Sequence, residues 1–128
     1  MTTFAYRIRP SVQSELNAAR QAMARGQGDV AFRHLERAHV LGQGATVEHV
    51  RVHWGMLLWA IRYARPREVV GQIWRLMAAG LTTRFGWLPE GNTGGADVSA
   101  FRPMPIPPDL QHVIDAAHGR GSPRRTVA

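Results

Sequence analysis

Four of the six histidines lie close together in the chain, in the order His34, His39, His49 and His53. His49 and His53 are four residues apart, and Glu36 precedes His39 by three. Residues at these spacings share one face of a helix. Imidazole and carboxylate groups arranged in this way are typical ligands of a metal ion in helical proteins. This segment therefore indicates a functional site, whereas the pattern of the rest of the chain indicates only packing of a core.

A short link predicts how these side chains meet. Two helices joined by only residues 42–45 pack as antiparallel neighbours. Residues at equal distances from the link then lie at the same height, which places His39 opposite His49 and Glu36 opposite His53. We therefore predict a metal site formed by Glu36, His39, His49 and His53.

The ligand types restrict the metal. The chain has no cysteine, so disulfides and thiolate ligands are excluded. Nitrogen and oxygen ligands favour a divalent transition metal such as zinc, nickel, cobalt, copper or iron. Four protein ligands would close a tetrahedral site and favour storage or a structural role. Without Glu36, three histidines would leave a position for water, as hydrolytic or oxidative chemistry requires.

Other polar residues near the site have different expected roles. His34 lies about 200° around the helix from Glu36, so we expect it to point elsewhere. Metal-binding histidines usually donate their second ring N–H to a carboxylate or a carbonyl. Glu48, Asp97 and Glu90 are the carboxylates that we expect to serve, and the sequence does not decide among them.

Composition describes one small globular domain. The chain has 128 residues, 45% hydrophobic and 20% charged. Its first residues lack the apolar core of a secretory signal, so we expect a cytoplasmic protein. The most apolar run, residues 50–64, contains Arg51, His53 and Arg62 and is shorter than the roughly 20 residues that span a bilayer. We expect no membrane partner.

The positive charge supports an alternative function. The net charge is +7, and all sixteen basic residues are arginine. A helical interaction module with incidental histidines could use this surface to bind an acidic protein or nucleic acid. The arginines are spread along the chain and never form a run of five, so nucleic acid is the less favoured partner.

Apolar periodicity predicts an all-α fold of four helices, arranged as two antiparallel helical hairpins, with a long irregular C-terminal wrap and a short terminal helix. Pro10 and Ser11 are expected to begin the first helix, and Gly26 and Gly42 to end the first two. The predicted organisation is an N-terminal extension (1–9), a four-helix core (10–86), the wrap with its short helix (87–118) and a disordered tail (119–128).

The later helices carry further expectations. The third runs from Thr46 to about Ala64, and the fourth begins at Pro66 and ends at Gly86. The inner face of the fourth is expected to be apolar and its outer face polar; the apolar set is Val69, Val70, Ile73, Leu76, Met77, Gly80 and Leu81, and the polar set is Glu68, Gln72 and Arg75. The tryptophans at 54, 59 and 74 are expected in the core. The apolar anchors of the wrap are Trp87, Val98, Phe101, Met104 and Ile106, followed by a helix from Asp109 to about His118.

Several sequence runs occur in an order that resembles a known family. They are HLERAHVLGQ (34–43), His49 and His53, Glu68 with Gly71 and Gln72, LPEGNTGG (88–95) and FRPMPIPPDL (101–110). Together they resemble the bacterial family catalogued as domain of unknown function 3703, over about residues 9–110. The family has no established activity, so no catalytic residue is implied. The resemblance implies a gene setting near heavy-metal resistance genes, which agrees with a metal role.

The sequence therefore favours metal binding over enzymatic activity, and it assigns no catalytic residue. A homodimer is a further expectation, because a four-helix unit of this size can leave an apolar face exposed.

Overall fold

The computed structural model of the chain describes residues 2–85, 93–96 and 103–120, with side chains of the fourth helix described as far as residue 78. The described part is all-helical, which confirms the predicted fold class. Its helices are α1 (Thr3–Ala24), α2 (Gly28–Gly42), α3 (Thr46–Arg62), α4 (Pro66–Phe85) and α5 (Pro108–Ala117).

Helix α1 begins earlier than the sequence predicted. The hydroxyl of Thr2 accepts a hydrogen bond from the backbone N–H of Ala5 and caps the helix, so the predicted start at Pro10 is wrong. Pro10 lies inside α1, where it removes one backbone donor and the helix continues. The apolar pattern extends upstream of the proline, because Ile8 is fully buried with Val12 in the core.

The α2–α3 hairpin forms as the short link predicted. The link consists of residues 43–45, and the backbone N–H of Ala45 donates to the carbonyl of Gly42 at 2.9 Å. Helix α1 packs along α2, and α5 packs across both of them through Leu110 and Ala117. The core therefore lies among α1, α2, α3 and α5.

The predicted orientation of helix α4 is correct for Val69, which packs against the core, but wrong for most of the other described residues of its two faces. Gln72, predicted on the outer face, is completely buried, whereas Val70 and Met77, predicted on the inner face, are exposed. Among the described helices α4 packs only on α3, and the surface that it meets there includes His53. A buried imidazole needs a polar partner, and this need outweighs the usual rule that the apolar stripe faces inward.

The prediction for the three tryptophans is only partly correct. Trp59 is buried, and its indole N–H donates to the carbonyl of Gly28 at 2.8 Å. Trp54 and Trp74 lie on the exposed outer sides of α3 and α4, so their assignment to the core is wrong.

The C-terminal half is described in part. Ile106 packs against the core as an anchor of the expected wrap, and Met104 is half-buried. The other three expected anchors, Trp87, Val98 and Phe101, lie outside the described residues. In the described part of the chain, no helix is both long and apolar enough to cross a bilayer.

Candidate metal centre

Three histidines from two helices meet in the interior. His39 lies in the last turn of α2, and His49 and His53 lie in the first two turns of α3. Each has only 2–3% of its surface exposed. The link 43–45 brings the end of α2 beside the start of α3, so the convergence follows directly from the hairpin.

The three Nε2 atoms form a nearly equilateral triangle. His39 Nε2 lies 2.9 Å from His49 Nε2 and 3.1 Å from His53 Nε2, and the remaining separation is 3.0 Å. The ring centroids are 4.7–4.8 Å apart, so the rings diverge outward from the point where the nitrogens meet. All three histidines present the same atom to one centre.

A buried amide fixes the orientation of His53. Nδ1 of His53 lies 2.6 Å from the side-chain oxygen of Gln72. The amide nitrogen of Gln72 donates to Glu68 Oε1 at 2.6 Å and to the carbonyl of Gly94 at 2.8 Å. Because both of these partners are acceptors, the amide oxygen must face His53. Nδ1 of His53 therefore carries the hydrogen, and the neutral ring directs its Nε2 lone pair at the shared centre.

The segment 93–96 closes over this arrangement. Glu68 accepts the backbone N–H of Ala96 at 3.0 and 3.1 Å, which ties the segment to α4. Gly94 has a φ of +83° and lies against the ring of His39, where an added Cβ would be 2.6 Å from Cδ2. Glycine at position 94 thus permits both the backbone turn and the close approach.

Burial favours the neutral form of two of the histidines. The pKa of His49 is lowered to about 3, mainly by burial and in addition by the nearby His53 and Arg75. Burial lowers the pKa of His53 as well; the hydrogen bond to Gln72 partly opposes this shift and Arg75 adds to it, and the resulting pKa is about 4. Neutral imidazole is the form that binds metal ions.

Hydrogen bonding alone cannot satisfy the triangle. A pair of Nε2 atoms at this distance needs one hydrogen between them, donated by one nitrogen and accepted by the other. Among three nitrogens that each carry either a hydrogen or a lone pair, at least two are alike. One side of the triangle therefore places two lone pairs or two hydrogens against each other. A cation at the centre removes this conflict, because it accepts a lone pair from every ring.

The predicted four-residue ligand set is brought together only in part. Within the described chain, the group of three or more possible ligands whose atoms all lie within 4.8 Å of one another consists of His39, His49 and His53. Glu36 is half-buried one turn earlier on α2 and does not belong to this group. His34 points away, as expected, and its Nδ1 lies 2.7 Å from Glu15 on α1.

Of the three carboxylates expected as partners of the histidines, only Glu48 lies in the described part of the chain, and it pairs with arginines instead. Glu48 accepts hydrogen bonds from Arg9 at 2.8 Å and from Arg51 at 2.6 Å. The other two candidates, Asp97 and Glu90, lie outside the described residues.

Glu68 and Gln72 are partners of the cluster that were not predicted from the sequence. Their spacing of four residues was a usable signal, because it places two polar side chains on one face of α4. That face was assigned to solvent. The glycine run that ends at Gly95 was a second signal, since Gly94 approaches an imidazole too closely for any side chain.

The chain shows no significant match to a curated protein or to a solved structure. A family model does match. The model described as "Protein of unknown function (DUF3703)" covers residues 6–114, so the chain belongs to this family.

Proposed function

We propose that the protein binds one divalent transition metal ion per chain through Nε2 of His39, His49 and His53. The observation that carries the proposal is the triangle of Nε2 atoms 2.9–3.1 Å apart in a buried site. Three unprotonated imidazoles this close repel through their lone pairs unless a hydrogen or a cation lies between them. Metal coordination satisfies all three at once.

The chemistry of the donors supports a borderline metal ion. Imidazole nitrogen suits zinc, copper, iron and nickel, and cobalt binds the same ligands. Gln72 holds His53 in the required tautomer, and Glu68 holds Gln72, so a second layer of hydrogen bonds already orients the ligand. Such partners commonly raise metal affinity about 10–100-fold.

The spacing of the nitrogens favours open coordination. With metal–nitrogen bonds of about 2.0–2.1 Å, ligands of a tetrahedral ion lie about 3.3 Å apart, and neighbouring ligands of an octahedral ion lie about 2.9 Å apart. The observed separations average 3.0 Å and are closer to the octahedral value. Three protein nitrogens on one face of the ion leave further positions for water or an exogenous ligand.

The proposed role is metal binding, and no reaction is assigned to the site. The resemblance to a family whose genes lie near heavy-metal resistance genes suggests a heavy-metal response as its setting. Zinc, nickel, cobalt and copper are accordingly the ions to compare.

The direct test uses protein prepared without a histidine tag and stripped with a chelator. We expect titration calorimetry to give one ion per chain for at least one of these four metals. A ligand at a hundredfold excess over its Kd should stabilise the folded state by about 2.7 kcal/mol. His53→Gln should abolish the calorimetric signal and the thermal shift.

Two variants serve as controls. His34→Gln removes a histidine that contacts Glu15, and it should leave stoichiometry and affinity unchanged. Glu36→Gln tests the fourth predicted ligand and should change the affinity less than threefold. A large loss of metal affinity in the Glu36→Gln variant would support the predicted four-ligand site. Absence of binding to every metal would overturn the proposal and favour the interaction module.

A further inference from the structure

The outer side of the α3–α4 pair carries a large exposed apolar surface. Eight side chains form it, each with 48–70% of its surface exposed. We call this set the α3–α4 apolar face: Val47, Trp54, Leu58 and Ile61 on α3, and Val70, Ile73, Trp74 and Met77 on α4. The α3 members recur at intervals of seven, four and three residues and form one stripe. The α4 members span one face of two helical turns.

The reversed orientation of α4 explains why this face is exposed. Glu68 and Gln72 face inward because they support His53, so the apolar stripe of the same helix must face outward. Helix α4 packs on α3 alone among the described helices. Its apolar side has no partner among them.

One residue of α4 lies beside the α3 stripe. Leu76, which neighbours Met77 on α4, lines an open cavity of about 350 Å³ together with Trp54 and Leu58 of α3. Leu16 of α1 forms part of the far wall. The apolar face thus extends into a groove between α3 and α1.

The size of the face fits a protein interface. The two tryptophans and six aliphatic side chains, each about half exposed or more, together present on the order of 800 Å². The largest apolar patch on a typical monomer is about 300–600 Å². A standard interface covers about 800 Å² on each partner. We propose that this face is covered by the same face of a second copy of the chain.

The composition of the face favours a second copy over an acidic partner. None of its eight members carries a charge, so face-to-face pairing brings no like charges together at the centre. Tryptophan and methionine are enriched at interface centres. Pairing by a twofold axis would give both stripes an equally apolar partner and surround α4 with helices on both sides.

The oligomeric state tests the inference independently of the metal. Chelator-treated protein should sediment as a dimer at micromolar concentration, and metal should leave that mass unchanged. Trp74→Glu combined with Met77→Glu should give a monomer with an unchanged helical circular dichroism spectrum. Tyr6→Glu alters an equally exposed aromatic residue on α1, outside the face, and should remain dimeric.

A second measurement avoids a destabilising charge. Because the chain has no cysteine, Met77→Cys creates its only thiol. A short bismaleimide should join two copies of this variant in high yield and two copies of Tyr6→Cys in low yield. A monomeric wild type would overturn the proposal. So would equal cross-linking at the two positions, or a dimer that survives both glutamate substitutions.

Discussion

Gln72 Oε1 lies 2.6 Å from Nδ1 of His53, on the side of the ring opposite the cluster. The contact joins α4 to α3 and determines which nitrogen of His53 is free to bind. It also explains why a polar side chain is fully buried on a helix whose apolar residues face outward.

Removing this hydrogen bond should weaken metal binding without removing a ligand. In Gln72→Leu, His53 can adopt the other tautomer and rotate, so we expect a 10–100-fold loss of affinity at unchanged stoichiometry. Calorimetry measures both quantities. Gln111→Leu is a matched control, because Gln111 is hydrogen-bonded to Asp115 on α5, away from the cluster. Equal affinities of Gln72→Leu and wild type would show that Gln72 does not position His53.

Gly94→Ala should disturb the site by steric contact with His39. An added Cβ would lie 2.6–2.9 Å from three atoms of that ring. We expect a loss of metal affinity and of stability, because the ring or the segment 93–96 must move. Gly26→Ala is a close control: it has a similar φ of +72° and nothing within 4 Å. Backbone strain at this φ should lower its stability by only about 1–2 kcal/mol, and its metal affinity should not change. If the two variants lost equal stability, the contact with His39 would be unimportant.

The arrangement of the histidines could be predicted because it depends on local signals. Gly42 ends α2, and the short link that follows determines which residues lie opposite each other. The spacing of His49 and His53 then places both rings on the side that meets His39. Each of these steps involves residues close in sequence.

The orientation of α4 could not be predicted in the same way. The periodicity of Val70, Ile73 and Met77 identifies an apolar stripe, but it does not say which surface covers that stripe. The choice depends on His53, a residue nineteen positions from Gln72 that needs a hydrogen-bond acceptor. The predictions for Trp54 and Trp74 were wrong for the same reason. Their spacing identifies apolar stripes but does not say whether another part of the chain covers them.

Acid should destabilise the metal-free protein through the cluster. The folded state holds the pKa of His49 at about 3 and that of His53 at about 4, below the ordinary value of 6.5. Between pH 6.5 and 4 the unfolded chain therefore binds more protons than the folded chain, and stability falls as the pH falls. Two groups can contribute a slope of up to about 2.7 kcal/mol per pH unit. Above pH 6.5 their contribution is constant.

Urea unfolding at a series of pH values in the presence of a chelator measures this slope. The variant carrying His49→Gln and His53→Gln should show a flatter dependence than wild type between pH 6.5 and 4. His112→Gln alters an exposed histidine on α5 and should keep the wild-type slope. Parallel curves for wild type and the double variant would mean that these imidazoles are not buried in the neutral form.

We expect the effects of replacing Arg9 and Arg51 on the unfolding free energy to be strongly coupled, because both side chains pair with the carboxylate of Glu48. It is 1% exposed and accepts from Arg9 of α1 and from Arg51 of α3, so it links the two helices. Arg9→Ala or Arg51→Ala alone leaves one positive partner, and we expect each to lower the unfolding free energy by about 1 kcal/mol. The double substitution leaves a buried charge unpaired and should remove about 3–5 kcal/mol, more than the two single losses together.

Adding Glu48→Gln to the double variant separates charge from packing. The neutral amide has no charge to desolvate, so it should recover part of the stability lost in the absence of both arginines. In the wild-type background the same substitution should instead destabilise, because two ion pairs are lost. Urea unfolding of these five variants and wild type completes the cycle. If the effects of the two arginine substitutions simply added, each would make an independent surface contact, and Glu48 would be hydrated in spite of its position between α1 and α3.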